Sequence, residues 1–266
     1  ANAGRVVGHL RRKHRCDSGH YARAAYEMSI RHAQAALDRA HNTSHASFQQ
    51  ADPYAIQKLV QYLDEGCQIE SADSLEKFGI ALTLFTAQSP DVIATMRIDR
   101  HAAVLPDAPR YPRIYLKAKR IILEGPTKIA FRNLKDPGAQ HRPVANYVIL
   151  ALPRLVEAYC HQVVEMRKQD GLAKVLHAFK NDQNSLKRKM KKSLNTIGTR
   201  IGYSLTLGQL RRYLFNRLRN HPCGDHVKAA MLCDYISSVS KNPMHYRWVS
   251  LGQLYALHHA VSTDIE

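Results

Sequence analysis

Most of the chain carries its apolar residues at helical spacing, and one stretch near its middle does not. From Tyr21 to about Ala40 the residues are Ala-rich and free of Gly and Pro, with Tyr26, Ile30 and Leu37 one to two turns apart, which predicts a helix. The polar stretch HNTSHASFQQ follows and reads as a loop. Asp52 before Pro53 is an N-cap followed by proline at the first helical position, so a helix is expected from Pro53 to about Asp64 with Ile56, Leu59, Val60 and Leu63 inward. Residues 72–87 place Leu75, Phe78, Leu82 and Phe85 on one face, with Ser71 or Asp73 able to cap the start. Ser89 and Pro90 end that helix and open a short one reaching about Met96.

Between Arg113 and Arg132 the period changes, because β-branched and aromatic residues alternate with basic ones until Gly125-Pro126 interrupts them. Two or three short antiparallel strands are expected there. After Pro143 the helical period returns: VANYVILALPRLVEAYCHQVVEMRK predicts one long helix that Pro153 kinks or splits. Further helices are expected at roughly 183–197, 206–220, 224–236 and 250–261. The fold class is therefore α+β and predominantly helical, a helical body with a small three-stranded antiparallel sheet. Residues 1–47 read as an N-terminal helical arm ending an upstream domain, and residues 48–266 as the main domain. The opening GRVVGHLRRKH reads as the tail of a segment already under way.

Charge changes this picture more than composition does. A 45% apolar content is ordinary for a chain with a core, but 39 Lys and Arg against 22 Asp and Glu leave a formal net charge of +17. With a pI near 9.8 this is the footprint of a protein that displaces counterions from nucleic acid. A merely soluble basic surface, or one that meets acidic lipid, is the alternative. No run approaches the ~18 apolar residues of a membrane span, and no apolar signal segment opens the chain, so a cytoplasmic, nucleoid-associated protein is expected. The five scattered cysteines lack CxxC spacing and read as reduced thiols.

The run NSLKRKMKKSLNTIGTR sets Lys187, Arg188, Lys189, Lys191, Lys192 and Arg200 around a helix with Leu186, Met190, Leu194 and Ile197 inward. A second basic helix, LRRYLFNRLR, adds Arg212 and Arg217. Either run alone is as well explained by a solvated face; together with the global charge they point to the phosphates of double-stranded DNA. His9 and His14 resemble the histidine end of a zinc finger, but no cysteine pair precedes them. His258 and His259 diverge on a helix. No metal and no cofactor is expected.

The order of elements over about residues 50–262 resembles the catalytic domain of the tyrosine recombinase, or phage integrase, family. That family shows a helix, the block TGLRxSEhhxLxWxDh (h for apolar), a three-stranded sheet, helices with an HxLR box, an LGH box and a late tyrosine. Here FTAQSPDVIATMRIDR stands at the first block, LKRKMKKSLNTIGTRIGYSLTLGQLRRYLFNRL spans the HxLR region, and AAMLCDYISSVSKNPMHYRWVSLGQL resembles the LGH box and tyrosine segment.

The resemblance implies a tyrosine nucleophile, two arginines on the non-bridging phosphate oxygens, and a lysine and histidines that move protons. It assigns Tyr246 to the nucleophile, Arg211 to the second arginine and Lys128 to the hairpin lysine. Ser89 stands at the first arginine, Gly208 at the first histidine and Asp234 at the histidine of LGH. A serine supplies no guanidinium fork. Arg97, two turns on, is the nearest substitute. An ordinary packing role for Tyr246, a non-catalytic phosphate clamp at Arg211 and a surface lysine at Lys128 remain the alternatives. The expectation is a DNA-binding, catalytically impaired relative of these recombinases, from a mobile element, pairing with itself or with an active recombinase. An active divergent recombinase cutting through Tyr246 is one alternative, and an RNA-binding or scaffolding helical protein another.

Overall fold

The computed structural model describes residues 51–67, 73–107, 109–125, 147–167, 175–179, 183–233 and 249–266. They belong to one compact unit, Ala51–Glu266. The expected N-terminal arm, with its helix at 21–40 and His9 and His14, lies outside the described residues.

The centre of this unit is a helix that is apolar nearly all round. The helix α1 (Pro53–Cys67) is followed by α2 (Ser74–Thr86), whose sequence SLEKFGIALTLFT leaves no strongly polar stripe. Such a helix is stable only when covered on every side. Helix α1 covers α2 on one side, joined elsewhere by α4 (Arg154–Met166), α5 (Gln183–Ile201) and α6 (Leu207–Asn220). Gly79 makes the closest approach possible: a Cβ there would stand 2.9 Å from the Met190 Sδ of α5. The buried Thr83 and Thr86 hydroxyls donate to the Gly79 and Leu82 carbonyls of their own helix at 2.9 and 2.6 Å, so neither is left unsatisfied. The short α3 (Pro90–Ala94) then leads into the sheet.

That sheet corrects the expectation of three antiparallel strands. It has five, β1 (Arg97–Asp99), β2 (Arg113–Tyr115), β3 (Arg120–Glu124), β4 (Tyr147–Ala151) and β5 (Val175–His177), in the order β4-β3-β2-β1-β5. The β2-β3 hairpin lies where the alternation placed it, but β1 runs parallel to β2 while the other pairs are antiparallel. Ile98, Ile114, Ile121, Leu150 and Leu176 form one in-register row, all buried on the core side. On the opposite side, Arg97, Arg113 and His177 form another row.

A second correction concerns residues 147–151, expected as helix. YVILA is a short apolar run that periodicity cannot assign, and its β-branched residues suit a pleated surface. Pro153 decides the matter, since it has no amide to give a helix extending through it and sits instead at the N-cap of α4. The run becomes β4, pairing with all of β3 from Arg120↔Ala151 to Glu124↔Tyr147 and packing against the last helix, α8 (Leu251–Ile265).

The remaining helices agree with their patterns except at their ends. Helix α5 continues to Ile201, where Gly202 at φ +76° and the Tyr203 amide donating to the Gly198 carbonyl at 2.9 Å close it. Thr206 with Gln209 and Ser250 with Gln253 form capping boxes at the starts of α6 and α8. Between them, α7 (His226–Cys233) starts two residues later than expected, and the expected residues 234–236 lie outside the described residues. Cys67, Cys160, Cys223 and Cys233 are free thiols, and burial pushes the Cys160 and Cys233 thiols well up from their ordinary range. Among the described residues no helix is long and apolar enough to cross a membrane.

Candidate nucleic-acid interface

Helix α5 divides cleanly. Leu186, Met190, Leu194 and Ile197 are buried against the core, as their spacing requires. Lys187, Arg188, Lys189, Lys191 and Lys192 are all exposed. At about 100° per residue, Arg188 and Lys192 point furthest from the core, with Lys187 and Lys191 on one flank and Lys189 on the other. No Asp or Glu occurs in the sequence between Asp182 and Asp225, and among the described residues none of the five cations has an ion-pair partner. Five like charges on under two turns repel one another, so the face stores electrostatic free energy that a polyanion would release.

Arg200 is engaged differently from the others. Its Nη1 donates to the Tyr62 hydroxyl at 2.8 Å, and its guanidinium lies 5.9 Å from that ring's centroid. On α6, helical geometry separates the two arginines that the sequence grouped together. Arg217 lies on the flank where Asp264 of α8 meets it at 3.5 Å, whereas Arg212 lies about 140° away around the axis. The companion of Arg212 is Arg219, seven residues on and exposed, a residue the sequence reading missed although the i, i+7 spacing contains it.

Arg211, which the resemblance assigns to the second arginine, meets the end of α2. Ala87 adopts the left-handed conformation at φ +53°, ending the helix, and its carbonyl accepts the Arg211 Nε–H at 2.6 Å. Two residues earlier, the Phe85 carbonyl accepts from His258 Nε2 at 2.7 Å, which places the imidazole hydrogen on Nε2. His258 is fully buried, and burial pushes its pKa down to about 4. Arginine and histidine thus each satisfy a carbonyl that the end of α2 leaves without an intrahelical donor.

Of the positions that the resemblance sets against the recombinase pattern, Ser89 has a local role and Gly208 has none that its surroundings require. Ser89 is the N-cap of α3, its hydroxyl accepting from the Val92 amide at 3.4 Å. Gly208 is not sterically required, because a Cβ there would meet nothing nearer than the Thr206 hydroxyl at 3.9 Å. Arg97 stands exposed on the outer side of the sheet, in register with Arg113 and His177. Arg113 is itself mostly buried and faces the Asp99 carboxylate at 3.6 Å. Tyr246, Lys128 and Asp234 lie outside the described residues, so of the three catalytic candidates only Arg211 has a described environment. Comparison of the chain with known protein families, with curated proteins and with solved structures finds no match.

Proposed function

We propose that the chain is a DNA-binding protein related to the tyrosine recombinases, with an impaired catalytic centre. The observation that carries the binding half of this reading is the face of α5, where five unpaired cations stand on a helix anchored by its opposite side. Flexible cationic side chains on a rigid rod suit phosphate, which is recognised by charge and spacing and not by base sequence. Arg212 and Arg219 on α6 extend the same chemistry.

The recombinase half rests on the resemblance in sequence order, and the contact between Arg211 and Ala87 supports it, since the resemblance brings those two segments to one phosphate. In this chain the arginine grips backbone there and the neighbouring serine caps a helix, so one clamp is engaged and the other is missing. The chain would pair with itself or with an active recombinase, and only the active recombinase would supply the groups that this chain lacks. Titration of a labelled duplex at a series of salt concentrations tests the binding. Affinity is expected to fall by orders of magnitude between about 50 and 200 mM salt, and indifference to salt would remove the reading.

A further inference from the structure

One face of α1 carries a pattern that the basic helix does not explain. Tyr54, Lys58 and Tyr62 recur every four residues and so lie along one line of the helix. Tyr54 is 52% exposed, the most exposed Tyr or Phe among the described residues, although a tyrosine ring normally buries most of its area. The ring is nevertheless held in place. Its own amide donates to Asp52 Oδ1 at 3.0 Å, fixing the first turn, and the Tyr203 ring meets it edge-on at 6.0 Å and 68°.

Cations surround this line. Lys58 Nζ lies 5.5 Å from the Tyr54 centroid. Two turns on, Tyr62 is covered by Lys77 at 5.7 Å and by Arg200 at 5.9 Å, so it acts as a support for those cations. Arg200 belongs to α5 and Tyr203 follows its end, so the line meets the C-terminal end of the helix whose first half carries the five exposed cations.

We infer that Tyr54 is a stacking shelf for an unpaired nucleobase, with Lys58 and Arg200 holding the adjoining phosphates of a single strand that leaves the duplex bound along α5. The inference rests on the duplex-binding reading above. A half-exposed, pre-oriented ring beside cations fits an unpaired base, which every single-stranded nucleotide offers; within a stacked duplex no base face is free. A protein partner would demand an apolar pocket around the ring, and here Lys58 and the Tyr203 ring stand beside it.

The test measures binding of the full chain to a blunt labelled duplex and to the same duplex carrying a short single-stranded overhang of either polarity. Stacking of one base predicts that the overhang tightens binding by at least about 5-fold. Tyr54→Ala should abolish that gain and leave blunt-duplex affinity unchanged, while Tyr54→Trp should retain it. Equal wild-type affinity for the two probes overturns the inference, as does a preference that survives Tyr54→Ala or a loss on both probes alike. Blunt-duplex binding that is intact without an overhang preference defeats the stacking shelf only; failure to bind any of the probes defeats the duplex reading and the shelf with it.

Discussion

His258 shows how a single side chain can link the centre of the fold to solution conditions. Its ordinary pKa of 6.5 falls to about 4 because burial penalises the imidazolium, and the neighbouring His259 adds to the penalty against the opposing hydrogen bond to Phe85. The unfolded imidazole therefore takes up a proton that the folded one refuses. Its contribution is fully present above pH 6.5 and is lost as pH falls towards 4, amounting to roughly 3 kcal/mol at the lower limit. Denaturant midpoints measured from neutral pH down to about pH 4 should decline, and His258→Gln should flatten that decline while lowering stability at neutral pH. Parallel profiles for the two proteins would show that another group titrates. None of this was visible in the sequence, where His258 and His259 differ only in which side of α8 they occupy. Arg211 is a similar case: the sequence singled it out, but its partner Ala87 lies 124 positions away.

At the scale of the element, α5 was legible almost completely. Its inward and outward residues follow from a 3.6-residue period, and packing did not rearrange them. Because its cations are exposed and unpaired, replacing Lys189 and Lys192 together by Glu should weaken binding to all duplex sequences alike and reduce the slope of affinity against salt by about 2. The circular dichroism spectrum should not move, since neither side chain packs, and the thermal midpoint should not fall, since the change relieves repulsion among the five cations. An unchanged dissociation constant would show that the face is only solvated. The second basic helix was less legible, because Arg212 and Arg217 are close in sequence yet diverge around the axis, leaving Arg217 to Asp264. Strand β4 was misread altogether. Five apolar residues suit a buried helix or a buried strand equally well, and only the unpaired edge of β3 and the apolar side of α8 make the strand the better outcome.

For the whole molecule, the net charge of +17 and the catalytic departures lead to different consequences. Binding to polyanions needs charge and little precision. Phosphoryl transfer needs each donor in place, and losing one costs roughly 100-fold to 1000-fold. The proposed relation sets Ser89, Gly208 and Asp234 at three of the recombinases' donor positions, and on that reading no covalent adduct with Tyr246 is expected on a nicked suicide DNA substrate, even at saturating protein. A denaturation-resistant protein–DNA band that disappears in Tyr246→Phe would overturn this and favour an active enzyme. Sequence alone determined the helical class, the helix faces, the β2-β3 hairpin and the excess of positive charge, because each is set by residues close together along the chain. Tertiary structure decided the rest: the fifth-strand edge, the parallel β1-β2 pair, the strand at 147–151 and the grip of Arg211 and His258 on the end of α2. Each of these depends on a hydrogen-bonding partner far away in sequence, and a local pattern carries no information about which distant backbone group will be there to accept.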